Sequence, residues 1–211
     1  MGIQIADIAG GSLHAVIAIL SAVIERQRSG QGQYIDISMT DCVATLNSMA
    51  AAAVLAGKTK QYAEQSHLNG ATYYDYYQTL DGRYLSVGSI EPQFMSGLAT
   101  VLELPILLEK GTSFDATDQK LVKQALQEKI KTKTFTEWSS IFAELDVCVE
   151  PVLHLDEALT SPLAKQRQWV VDVPLAEESA QTEAQLACPI KFSRSKMSYK
   201  HIGKKLGEDS F

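Results

Sequence analysis

Cysteine is scarce in this sequence, and what there is does not pair by spacing. Cys42, Cys148 and Cys188 are odd in number and far apart, which argues against a disulfide framework. They read instead as small buried residues of a reducing compartment. Histidine is equally thin: His14, His67, His154 and His201 stand at no metal-binding spacing with one another or with a cysteine, so no metal site is expected. No nucleophile elbow and no phosphate-binding loop is present. Gly10-Gly11 is too short for a dinucleotide fingerprint, and "SGQGQ" follows a helix, where a turn is the better reading. Basic residues are outnumbered, 19 Lys and Arg against 25 Asp and Glu, giving a net charge of −6 and a pI near 5.2. That balance argues against nucleic acid as a partner. No signal peptide is visible. The longest apolar run, Leu13 to Ile24, holds His14 and Ser21 and ends in Glu25-Arg26, too short for a membrane span. The expectation is a cytoplasmic protein with no membrane partner.

What remains is a globular chain. Its 211 residues are 45% hydrophobic and 21% charged, enough to bury a sizeable core. Leu13, Val16, Ile17, Leu20, Val23 and Ile24 recur at helical spacing, with Ser12 as N-cap and Gly30 as the stop. "YIDIS" alternates as a strand. "TDCVATLNSMAAAAVLAG" reads as a second helix, capped by Thr40 or Asp41 and closed by Gly57. Helix, strand and helix suggest part of an α/β layer.

The polar "KTKQYAEQSHLNG" reads as a loop. "ATYYDYYQTLDGRYLSVGS" then reads as a hairpin turning at Asp81-Gly82. Pro92 opens a helix over "IEPQFMSGLATVLEL", and "DATDQKLVKQALQEKIKTK" is an amphipathic surface helix. Thr134 and Glu137 form a capping-box pattern ahead of "WSSIFAEL". "SPLAKQRQ" is a short helix, and "WVVDVP" and "CPIKFS" read as strands. The organisation expected is a large-domain segment over 1–57, a small α+β domain over 58–160, and a segment over 161–211 that returns toward the large domain.

Two carboxylates carry the chemistry on offer. Asp7 precedes a glycine pair and a helix start. Glycine lets a ligand approach the backbone, and a helix N-terminus supplies N–H groups and a positive dipole end. Such groups can hold an oxyanion while Asp7 moves a proton or attacks a carbonyl. A helix cap is the plainer reading of the same residue. Glu91 stands between a hairpin strand and a helix, where a carboxylate suits the helix dipole with no catalytic role at all.

The stretches "ADIAGGSLHAVIAILSAVIERQRSGQGQYIDISMTD" and "HLNGATYYDYYQTLDGRYLSVGSIEPQF" resemble the class III CoA-transferase and α-methylacyl-CoA racemase family (CaiB/BaiF type), and the likeness runs on to the "LGEDSF" tail. The second stretch is closer to the racemase branch. The resemblance implies an α/β fold, an incomplete Rossmann-like large-domain segment joined to a smaller α+β domain. It implies that Asp7 is catalytic, one of a His/Asp pair moving the α-proton in racemases, or the acyl-carrying nucleophile in transferases. It maps the family's glycine loop onto Gly10 and Gly11 as substrate-binding residues, with Ala9 where a third glycine is common. It maps the Glu of the "IEPQF" motif onto Glu91.

The substrate implied is an acyl-CoA thioester, with CoA part of the substrate and no separate cofactor. A thioester α-proton is weakly acidic, its enolate needs preorganised donors, and inversion needs an acid/base group on each face. In the racemases the partner His and the CoA-binding segment precede the Asp, whereas this chain starts six residues before Asp7. The resemblance therefore implies the C-terminal portion of a longer protein, inactive alone. The partner it implies is a second copy in a homodimer or a missing N-terminal half; a catalytically silent assembly module is the alternative.

Overall fold

The computed structural model describes residues 3–57, 66–177, 179–203 and 207. Most of the expected 58–70 loop and all of the "LGEDSF" tail but Gly207 lie outside them. The contacts divide the chain into two units, residues 1–74 with 114–119, and residues 75–113 with 120–211.

The first unit is helical. A π-helical segment, Ala6–Leu13, runs without a break into α1, His14–Ser29. Ser12 is therefore no N-cap: it lies inside the helical run, and its hydroxyl donates to the Asp7 carbonyl oxygen at 3.1 Å. α1 stops where the sequence says, at Gly30, whose φ of +75° suits a residue without a Cβ. The second expected helix is two, α2, Met39–Leu46, and α3, Ser48–Leu55, broken at Asn47. Its cap is Ser38, which accepts the Asp41 N–H at 3.3 Å, in place of Thr40 or Asp41. The "YIDIS" strand does not form; residues 31–38 are irregular and Tyr34 is fully open to solvent. Alternation alone cannot hold a strand whose backbone groups find no neighbouring strand.

α1 buries none of its residues, and Val16, Ile17, Ile19, Leu20, Val23 and Ile24 are all exposed. Because the π-helical segment extends it, the run Ala6–Ser29 is 24 residues long. By length and composition it is long and apolar enough to cross a membrane, against the shorter span expected from the sequence. A helix apolar all round is either the core helix of a larger fold or a membrane span.

The second unit has a packed core. β1, Asp75–Gln78, pairs antiparallel with β2, Tyr84–Val87, in the register Gln78↔Tyr84, and β2 pairs antiparallel with β3, Val149–Pro151. The hairpin loop carries Gly82 at φ +81°. Period-two alternation sends Tyr77, Leu85 and Val87 inward. Leu98 and Leu102 of α4, Pro92–Leu102, and Leu107 of α5, Ile106–Lys110, are likewise fully buried. α6, Ala116–Ile130, adds Val122, Leu126 and Ile130, four residues apart on one face and fully buried.

α7, Phe135–Phe142, opens with the expected capping box: Thr134 N–H donates to Glu137 at 2.8 Å, and Glu137 N–H to the Thr134 hydroxyl at 3.4 Å. Its Trp138 is buried, donates Nε1–H to the Ile130 carbonyl at 2.7 Å and stacks on Phe142. α8, Leu155–Thr160, and α9, Pro162–Arg167, follow.

β4, Val170–Pro174, pairs with β5, Thr182–Leu186, in a separate two-stranded ribbon. The expected "CPIKFS" strand is irregular instead. The partner is the polar "TEAQL", which follows β4 closely enough to fold back on it, whereas Pro189 has no N–H for a ladder. The fold is thus mixed α/β, with small antiparallel sheets.

Candidate functional site

Asp7 sits in the first turn of the π-helical segment, and its side chain is exposed. The residue before that segment, Ile5, is already helical, and no side chain caps it. Among the described residues the Asp7 carboxylate accepts no hydrogen bond, so it is not the cap its position suggests. A carboxylate with no structural partner, at the start of a helical run, is open to a ligand. Runs of π-helix are rare and recur at functional sites.

Gly10 and Gly11 follow on the same segment, which packs on α2. Gly10 is buried, and a Cβ there would stand 3.1 Å from Val43 Cγ2 and 3.3 Å from the Met39 carbonyl oxygen. The close approach at Gly10 is that of helix to helix. Gly11 is looser: its Cβ would lie 3.4 Å from Met39 Cγ, an ordinary contact. His14 makes a structural bond, with Nδ1 2.6 Å from the Ala9 carbonyl oxygen. The carbonyl can only accept, so Nδ1 carries the proton.

Glu91 belongs to the second unit. It occupies the N-cap position of α4 with extended backbone, φ −69° and ψ 142°, and Pro92 opens the helix behind it. Its carboxylate is exposed and makes no capping bond; its carbonyl accepts the Met95 N–H at 2.9 Å. The segment ahead of it is tight: Ile90 N–H bonds the Gly88 carbonyl at 3.0 Å, and Gly88 N–H bonds the Cys148 carbonyl at 2.8 Å.

Cys148 corrects the expectation of buried cysteines. It is exposed, with φ +51°, while Cys42 and Cys188 are half-buried. Its thiol is held above the ordinary range, first by desolvation, then by the carboxylates of Glu91, Asp146 and Glu150. No spacing in the sequence signals this neighbourhood, because Cys148 is distant from Glu91 along the chain. The cavities around β4 and β5, about 570 and 420 Å³, are lined by residues between 159 and 199 and include neither Asp7 nor Glu91.

A profile described as CoA-transferase family III matches residues 1–210. The chain is 39% identical over 156 residues to an alpha-methylacyl-CoA racemase of Mus musculus, covering 74% of this chain and 41% of that protein. It is 23% identical over 205 residues to a human succinyl-CoA:glutarate CoA-transferase, covering 93% of this chain and 45% of that one. Among solved structures, a CAIB/BAIF family protein from Brucella suis superposes with a TM-score of 0.74 at 25% identity, covering 99% of this chain and 54% of that chain. The chain spans less than half the length of the two enzymes. By the match along its whole length, it belongs to CoA-transferase family III.

Proposed function

We propose that this chain is the C-terminal part of an α-methylacyl-CoA racemase-like enzyme that interconverts 2-methylacyl-CoA epimers by proton transfer through an enolate. The observation that carries this reading is the Asp7 carboxylate, exposed and unbonded among the described residues at the head of a helical run. Asp7 takes the α-proton on one face of the thioester. The electron pair moves onto the thioester oxygen, where backbone N–H groups stabilise it. A second acid/base group, from the part of the enzyme this chain does not cover, returns a proton to the opposite face. Glu91 tunes the proton-transferring groups without itself transferring the proton, and Gly11 leaves room for the thioester beside the backbone.

The rest of the reading follows from the family. Residues 1–57 belong to a Rossmann-like large domain, 58–160 form the small domain and 161–211 return to the large one. α1 is then a core helix, covered by the remainder of that domain or by a second copy in a homodimer. The enzyme is cytoplasmic and takes CoA only as part of its substrate.

The similarity to the human CoA-transferase, which covers 93% of this chain, favours one other reading. There the Asp7 carboxylate oxygen attacks the thioester carbonyl, the C–S bond breaks, CoA leaves as thiolate, and the acyl group stays on Asp7 as a mixed anhydride. One experiment separates the two. The chain, joined or co-expressed with the N-terminal region its relatives carry, is given a 2-methylacyl-CoA in deuterated solvent. Deuterium uptake at the α-carbon without a covalent adduct on Asp7 supports the racemase. A trapped acyl or CoA adduct on Asp7 without α-exchange supports the transferase. The absence of both favours a silent assembly module, to which the exposed apolar α1 is suited.

A further inference from the structure

We propose that Ser89 is a positioning residue for Glu91: its buried hydroxyl locks the Gly88–Ile90 turn to the 147–148 segment and so fixes where the Glu91 carboxylate stands. The proposal rests on Glu91 serving the active site. Ser89 has no accessible surface, and its Oγ–H donates to the Val147 carbonyl oxygen. One residue earlier, Gly88 N–H bonds the Cys148 carbonyl at 2.8 Å. Two consecutive residues are thus tied to two consecutive residues of a segment far away in sequence.

That segment is itself held from the other side. Val147 is buried, and a Cβ at Gly97 of α4 would stand 2.8 Å from its Cγ1. Only glycine at 97 lets α4 come this close to Val147 without a shift. The turn before Glu91 and the helix after it are therefore both fitted to Val147. Glu91, between them, is exposed on a fixed backbone. A hydroxyl this deep in the protein is worth its desolvation only while its bond is made, and a carboxylate that must meet a reacting group gains from a backbone that cannot drift.

Cys148 supplies a probe that needs no turnover. Beyond desolvation, the charges of Glu91, Asp146 and Glu150 hold its thiol above the ordinary range, so its titration reports how near the Glu91 charge stands. The 211-residue chain is alkylated with iodoacetamide across a pH series, and the Cys148 adduct is resolved from those of Cys42 and Cys188 by peptide mass spectrometry. Glu91→Gln removes one of three neighbouring negative charges and shifts the Cys148 midpoint downward. In Ser89→Ala the turn keeps only the Gly88–Cys148 bond, and the same Glu91→Gln change produces a smaller shift. Ser89→Thr keeps the hydroxyl and restores the full shift. Where Ser89→Ala does not fold, the pair Ser89→Thr and Ser89→Val, alike in size and differing in the hydroxyl, makes the same comparison.

A full Glu91→Gln shift in the variants without a hydroxyl overturns the proposal, and so does the absence of any shift when Ser89 is intact. Failure of both hydroxyl-free variants to fold, with Ser89→Thr folded, makes the hydroxyl a requirement of the fold alone and overturns it too. None of these readouts depends on catalysis, so a failure of the racemase reading shows separately, as unchanged turnover in Asp7→Asn.

Discussion

Replacing Gly10 with alanine puts a methyl carbon 3.1 Å from Val43 Cγ2 and 3.3 Å from the Met39 carbonyl oxygen. The side chain can yield, but the carbonyl belongs to the backbone of α2 and yields little. Crowding of this kind costs roughly 1–3 kcal/mol. Gly11→Ala is its control. There the nearest atoms are Met39 Cγ at 3.4 Å and Sδ at 3.6 Å, ordinary contacts on a flexible side chain. Both substitutions gain about the same from replacing a helical glycine, up to about 1 kcal/mol, so that contribution cancels between them. The expected result is Gly10→Ala less stable than Gly11→Ala by about 1–3 kcal/mol, in denaturant titrations followed by far-ultraviolet circular dichroism. Amide exchange in α2 should rise in the Gly10 variant alone. Equal stability of the two, or a more stable Gly10→Ala, would refute the close packing of the π-helical segment on α2 and return Gly10 to the role of a ligand-approach glycine.

Other expectations follow from the second unit. Trp138→Phe leaves the Ile130 carbonyl without its 2.7 Å donor and opens space beside Phe142; it should lower stability by about 1–3 kcal/mol, read by chemical denaturation. Three carboxylates sit below their ordinary range: Asp81 through the Thr79 hydroxyl and the Phe135 N–H, Glu137 through the Thr134 hydroxyl and N–H, and Glu157 through the Arg83 guanidinium and the His154 N–H. A carboxylate whose folded pKa is depressed contributes stability above its unfolded value and loses it as pH falls through the folded one. The unit should therefore be insensitive to pH near neutrality and weaken progressively below about pH 5; a flat acid limb in thermal melts would contradict this. Arg83→Met, which removes the fork on Glu157 and the cation stacked 4.0 Å from the Phe135 ring centre, should remove part of that acid dependence. By itself the 211-residue chain should show no racemase turnover, because inversion needs an acid/base group on each face and the group opposite Asp7 is expected from the part of the enzyme this chain does not cover; robust epimerisation of a 2-methylacyl-CoA by the purified chain would contradict this.

The sequence was most legible where the determinant is local. Gly30 ending α1, Gly82 in the hairpin, Pro92 opening α4 and the Thr134–Glu137 box each act within a few residues, so their spacing alone announces them. It was least legible where a neighbour decides. "YIDIS" has the alternation of a strand and no ladder to join. "CPIKFS" lost its place to the polar "TEAQL", which the hairpin geometry favours over hydrophobicity. Asn47, the break inside an alanine-rich helix, is a weak stop signal set among strong helix formers. At the candidate site, Asp7 and Glu91 stood out by motif and position. The bonds from Ser89 and Gly88 to Val147 and Cys148 did not, since they join residues 58 and 60 positions apart.

The central claim is that the Asp7 carboxylate does chemistry and not capping, and Asp7→Asn tests it most directly. Asparagine keeps the size and caps a helix about as well, so a structural aspartate tolerates the change, whereas a proton acceptor does not. The measurement is the rate of deuterium uptake at the α-carbon of a 2-methylacyl-CoA by the chain assembled with the N-terminal region its relatives carry, alongside the circular dichroism melt of the same variant. The account predicts an unchanged melt and a rate lower by about 10²–10⁴-fold. A variant that exchanges the α-proton at close to the unsubstituted rate would contradict it.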